Sequence, residues 1–132
     1  MVIEQVLLDR LGEHAADAKL DNIECVLTSP DKPSLPAGQV DTVFLVNTYY
    51  YFSNPHVYMT KLREALAPGG RIVIIDLIPK TRAERGFGPP LRMQVSRKQV
   101  DATMSAVGFK PTAVHTFLPE QYFVEYRRET AP

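Results

Sequence analysis

The stretches LPAGQVDTVFLVNTYYYF (residues 35–52) and PHVYMTKLREALAPGGRIVIIDL (residues 55–77) decide the fold. Val40 to Val46 and Arg71 to Leu77 are nearly continuous apolar runs rich in Val and Ile, the composition of strands covered on both faces. Between them, Asn54 can cap a helix that takes Pro55 in its first turn, where a missing N–H costs nothing. Tyr58, Leu62, Ala65 and Leu66 fall on one stripe of that helix. Pro68-Gly69-Gly70 then stops it. Strand, helix and strand in this order form the repeating unit of an open parallel sheet.

Working outward, Ile3, Leu7, Leu11, Ala15 and Ala18 recur at steps of four or three, which predicts an opening helix that ends near Leu20. Asp21-Asn22 breaks it, and Ile23 to Leu27 reads as a short strand. Thr28 to Gln39 contains Pro30, Pro33, Pro36 and Gly38, too many breakers for regular structure. On the other side, residues 78–94 form a loop rich in Pro, Gly and Arg. Ser96 and Gln99 make a capping box, Val95 can staple to Val100, and Val100, Met104 and Val107 give the next helix its apolar face until Gly108. Thr112 to Phe117 and Tyr122 to Arg127 read as a terminal antiparallel hairpin. The expectation is one α/β domain over residues 1–132, with a mostly parallel sheet, helices on both faces and the hairpin at one edge.

Fifteen basic residues against fifteen acidic ones leave no net charge, so nothing steers the molecule toward nucleic acid or an anionic membrane. Small molecules or proteins are the expected partners. Cys25 is the only cysteine, which excludes an internal disulfide, and its place between Glu24 and Val26 suggests a buried small hydrophobe in a reducing cytoplasm. Glu4, Asp9 and Arg10 interrupt the N-terminal residues, which therefore lack a signal-type apolar stretch. No segment has the apolar length to span a membrane. His14, His56 and His115 show no metal-ligand spacing, and no GxSxG elbow marks a nucleophile. His115 near Glu120 and Tyr122 reads either as an acid–base group or as a hairpin packing contact.

The strand at 40–46, the aromatic loop after it and the helix that runs into LAPGGRIVIIDL together resemble class I S-adenosylmethionine-dependent methyltransferases. In that family an "LP…G..D.V" strand leads into a loop of catalytic and cofactor contacts, and the following helix ends "L.PGGRLVI.D" on the next strand. The likeness extends from about Val2 to Tyr126 and corresponds to the C-terminal part of the family domain. It implies a truncated Rossmann-like fold, S-adenosylmethionine as cofactor and methyl transfer to a small-molecule acceptor.

The resemblance also implies a departure. The family holds the methionine moiety on a glycine-rich turn after its first strand and the ribose on an acidic residue after its second, and the likeness places both upstream of these residues. Gly86-Phe87-Gly88 is the only GxG here, and Pro89-Pro90 follows it instead of a helix. At the family's adenine-amine position Ser29 replaces an acidic residue, with Asp31 as a substitute two residues on. Asn47 and Thr48, at a strand end that lines the crevice of such sheets, complete the expected cofactor contacts. Tyr49, Tyr50 and Asp76 are the expected acceptor contacts. The alternative reading makes the tyrosines half-buried packing with a satisfied hydroxyl, and Asp76 a helix or loop cap. The Arg-rich 78–94 loop reads as a solvated loop or as a substrate lid.

Two functions follow. One is a methyltransferase polypeptide whose cofactor site is completed by another chain or by a degenerate pocket. The other is a non-catalytic binding or oligomerisation module that kept the scaffold. The family's first two strands would lie between 23–27 and 40–46, so TVFLV is expected to present an open edge. The expected repair is a homodimer with its two-fold axis near residues 40–52 and an interface above about 2,000 Å².

Overall fold

A computed structural model describes residues 4–129. Its elements in chain order are α1 (Gln5–Asp17), β1 (Val40–Val46), α2 (Pro55–Ala65), β2 (Leu66–Leu77), α3 (Arg82–Arg85), α4 (Arg97–Ala106), β3 (Phe109–His115) and β4 (Gln121–Arg128). The strands form one sheet in the order β1-β2-β4-β3. β1 and β2 are parallel, whereas β4 runs antiparallel to both β2 and β3. The expected α/β class and the edge hairpin are therefore present, but the described sheet is mixed rather than mostly parallel.

That difference has one cause. Ile23 to Leu27 forms no extended strand; within it only Leu27 takes part in a bridge, and another isolated bridge nearby joins Ser29 to Lys32. β propensity alone does not extend a single bridge into a ladder. Cys25 is correspondingly only half-buried.

The crossover between the parallel strands is local chemistry. Asn54 Oδ1 accepts the Val57 N–H at 3.3 Å, and Pro55 occupies the first position of α2. Pro68-Gly69-Gly70 does not separate helix from strand, because β2 begins directly after Ala65. The triplet instead forms a bulge inside β2, where the register jumps from Val40↔Leu66 to Thr42↔Arg71. Gly70 is required there, since a Cβ would stand 2.9 Å from Ala67 O and 3.0 Å from Val40 O. The capping box of α4 is complete, with Ser96 and Gln99 satisfying each other's backbone N–H.

Side chains alternate across a sheet, so register assigns the faces. Val43, Ile72, Ile74, Tyr122, Val124 and Tyr126 share one face and pack against Tyr58, Met59 and Leu62 of α2 and Val100 and Met104 of α4. Each fully buried Leu, Ile, Met or Val there contributes roughly 1.5–3 kcal/mol. The opposite face carries Thr42, Phe44 and Val46 of β1, Arg71, Val73 and Ile75 of β2, and Phe123 and Glu125 of β4. Glu125 bridges Arg71 at 2.6 Å and His115 at 2.7 Å on that face. His115 thus pairs with Glu125, not with Glu120.

The opening helix is shorter than its pattern. It stops at Asp17 rather than near Leu20, and Ala15 is its only buried residue. Leu7 and Leu11 are exposed, and Ile3 lies outside the described residues. No described helix is long and apolar enough to cross a membrane.

Candidate functional site

The parallel strands end together. Asn47 N–H donates to Ile75 O at 2.9 Å, and Asn47 then turns the chain out of the sheet with φ +52°, a left-handed conformation that Asn tolerates better than most residues. The next residues, Tyr49–Tyr51, form a single 3-10 turn. Asn47 Oδ1 accepts from Gln121 Nε2 at 3.0 Å, which ties the end of β1 to the start of β4.

Asp76 ends β2 beside this turn and is only 8% exposed. Its Oδ1 accepts the Leu77 N–H at 2.8 Å. Burial holds the Asp76 carboxyl above the usual aspartate range, while the Leu77 and Tyr49 amides pull the other way. Tyr122, directly across from Asp76 in β4, donates its hydroxyl to Val95 O at 2.7 Å. Burial first, and then the Asp76 charge, push the Tyr122 phenol upward, so it stays neutral and serves as a donor.

The three tyrosines differ. Tyr49 is 4% exposed, and its hydroxyl makes no hydrogen bond of ordinary geometry. It faces Thr103, whose own hydroxyl donates to Gln99 O. Tyr50 is 44% exposed at the rim, and Tyr51 lines a separate groove.

That groove, about 570 Å³ in volume, runs along the outer edge of β1. Phe44 and Leu45 form part of its floor, and Leu7, Ser29 and Leu35 form its walls together with Thr48. Of the expected cofactor contacts, Ser29 and Thr48 line this groove, while Asn47 lies at the end of β1 and does not. Ser29 Oγ accepts from the Asp31 and Lys32 amides at 3.3 and 3.4 Å, which closes a local turn. Asp31 is exposed.

The Arg-rich segment is fastened down. The Arg85 side chain is fully buried, with Nε donating to Glu120 Oε2 at 3.0 Å, Nη1 to Gln94 Oε1 at 3.1 Å and Nη2 to Ile78 O. The Gln94 side chain also holds Lys80 and Pro89 backbone groups. Gln121 and the Arg85–Glu120 pair escaped the sequence reading because both depend on where β4 enters the sheet.

These residues do not fit a complete adenosylmethionine site. Such a site needs a backbone cradle at a helix N-terminus, free of side chains where the ligand approaches. Gly86 instead caps the four-residue α3, and Gly88 faces Leu77 and Arg85. Among the described residues no glycine opens a helix beneath a strand end.

A mixed sheet with a parallel strand–helix–strand unit and two helices on one face defines a Rossmann-like class. Residues 3–74 match the family model described as methyltransferase domain, and the chain belongs to that family. Among solved structures it is similar to a SAM dependent methyltransferase from Aquifex aeolicus, with TM-score 0.84 and 22% identity over 94% of this chain and 64% of that one. It is also similar to the [4+2]-cyclase SpnF, with TM-score 0.78 and 11% identity over 98% and 65% of the two chains. A third similar structure is the trans-methyltransferase CalH in complex with SAH, with TM-score 0.75 and 18% identity over 96% and 41%. At these identities the likeness shows the fold alone, and the chain spans less than two thirds of the Aquifex protein. No curated protein matches the sequence.

Proposed function

We propose that these residues form the acceptor-facing part of an S-adenosylmethionine-dependent methyltransferase that works on a small molecule in the cytoplasm. The observation that carries this reading is the convergence of Asn47, Asp76 and Gln121 where β1 and β2 end. Open α/β sheets bind their ligands outside such strand ends. Asp76 offers a carboxyl whose burial favours a proton, and the Asn47–Gln121 pair offers amide donors and acceptors to a hydroxyl or amine. Tyr50 supplies an exposed ring beside them. The role of these groups is to hold and orient an acceptor.

Cofactor binding then depends on groups beyond these residues, with Ser29, Asp31 and Thr48 at most contributing at the groove. Amide chemical-shift mapping with a library of small hydroxylated aromatic compounds tests the crevice. Shifts centred on Asn47, Tyr50, Asp76 and Gln121 are expected, and binding confined to the α2–α4 side would contradict the assignment.

A further inference from the structure

Two sets of bonds meet on adjacent residues. Glu120 fastens the 78–94 segment, because its Oε2 accepts from Arg85 Nε at 3.0 Å and from Lys80 Nζ at 3.5 Å, and its backbone carbonyl accepts the Ile78 N–H at 2.9 Å. Gln121 follows it, opens β4 and donates to Asn47 Oδ1 at 3.0 Å, where the chain leaves β1. Arg85 keeps its proton at any ordinary pH, and its side chain is fully buried. A buried cation that loses its carboxylate is strongly destabilised, so Glu120 follows Arg85 when the segment moves. Gln121 is joined to Glu120 by a planar peptide and shares that displacement. At the other end, Asn47 holds φ +52°, a conformation that persists in an L residue only when its surroundings enforce it. The turn beyond it is lightly held, with Tyr51 N–H on Thr48 O at 3.0 Å and Phe52 N–H on Tyr49 O at 3.3 Å.

We infer that Glu120 and Gln121 couple the 78–94 segment to the turn that leaves β1, so that loosening the segment loosens the turn from Asn47 to Phe52. Arg85 and Gln121 are then positioning residues, the first acting on Glu120 and the second on Asn47. A competing route runs through β2, because Asn47 N–H bonds to Ile75 O and β2 leads directly into the segment. That route holds the backbone of Asn47, whereas only Gln121 is bonded to its side chain. Coupling between distant sites is established by perturbing one and reading the other with the link cut. As regulation of the proposed acceptor site the coupling rests on that reading, but its test needs no ligand, so the two fail separately.

Amide hydrogen exchange, read by NMR in the wild type, Arg85→Met, Gln121→Ala and the double variant, tests this. Arg85→Met keeps an apolar stem in the buried space and leaves the partly exposed Glu120 to water. It should speed exchange through the segment and, by about tenfold or more, at the Tyr51 and Phe52 amides. The Val107 amide at the end of α4, bonded to Thr103 O at 3.2 Å, should keep its wild-type rate. On the Gln121→Ala background the same substitution should still loosen the segment and add nothing at Tyr51 and Phe52. Glu120→Gln replaces Arg85→Met in every arm if the latter fails to fold. Wild-type rates at Tyr51 and Phe52 in the single variant, an equal acceleration at Val107, or a Tyr51 response that survives Gln121→Ala would overturn the inference.

Discussion

Gln121 Nε2 donates to Asn47 Oδ1 at 3.0 Å across 74 positions of sequence, and this bond joins the turn that leaves β1 to the first residue of β4. Asn47 has two tasks, accepting that bond and adopting φ +52°. The two can be separated. Asn47→Gly keeps the backbone conformation and loses one hydrogen bond, at a cost of about 0.5–1.5 kcal/mol. Asn47→Ala loses the bond and adds left-handed strain of roughly 1–2 kcal/mol. Urea unfolding should therefore rank wild type, Asn47→Gly and Asn47→Ala in falling order, and equal stability of the two variants would remove the strain from the account.

Asp76 gives a pH dependence of defined sign. Its folded carboxyl lies above the ordinary aspartate value, so its contribution is most favourable below that value and is lost as pH rises through the raised one. Asp76→Asn keeps an acceptor for the Leu77 N–H without burying a charge. The variant should melt a few degrees above wild type at pH 7 and lose most of that advantage near pH 4. A variant that melts below wild type at pH 7 would show that the carboxylate is better paired than the crevice geometry indicates.

The Arg85–Glu120 pair has the opposite sign. The Arg85 hydrogen bond, with the Lys80 charge adding to it, holds the Glu120 carboxyl below its usual range. Its contribution is present above the ordinary glutamate value and is lost as pH falls. Glu120→Gln should leave the fold intact and expose the 78–94 segment to limited proteolysis at neutral pH, as acidification should in the wild type. Unchanged cleavage rates would mean that Gln94 alone holds the segment.

Tyr49 and Tyr50 should separate cleanly. A buried hydroxyl without a partner costs about 1–3 kcal/mol, so Tyr49→Phe should be neutral or stabilising. Tyr50→Ala, at an exposed position, should change stability by less than about 0.5 kcal/mol. If Tyr49→Phe destabilises the fold in thermal melts, its hydroxyl has a partner that Thr103 supplies.

The unit β1–α2–β2 was legible because its signals are local: two apolar runs, an Asn-Pro helix start and a glycine pair at the crossing. Pro68-Gly69-Gly70 was visible as a break, yet only pairing with Val40 shows it as a bulge that needs Gly70. Ile23 to Leu27 carried strand propensity, of which only a bridge at Leu27 is realised. At the site, Asn47 and Asp76 were legible as the residues that end parallel strands. Adjacent tyrosines carry no sequence mark of burial, so the inward turn of Tyr49 and the outward turn of Tyr50 were not. Gln121 was hidden for a topological reason, because the insertion of β4 between β2 and β3 brings it to Asn47. Ser29 lines the groove, and its hydroxyl is engaged by the Asp31 and Lys32 amides.

The central claim is that these residues carry the methyltransferase fold without a cradle for the cofactor. Calorimetric titration of the 132-residue chain with S-adenosylmethionine and S-adenosylhomocysteine tests it most directly. The account predicts no saturable binding at micromolar ligand. A dissociation constant of about 1 μM or below, worth roughly 8 kcal/mol, would contradict it and reveal a cradle elsewhere in the chain.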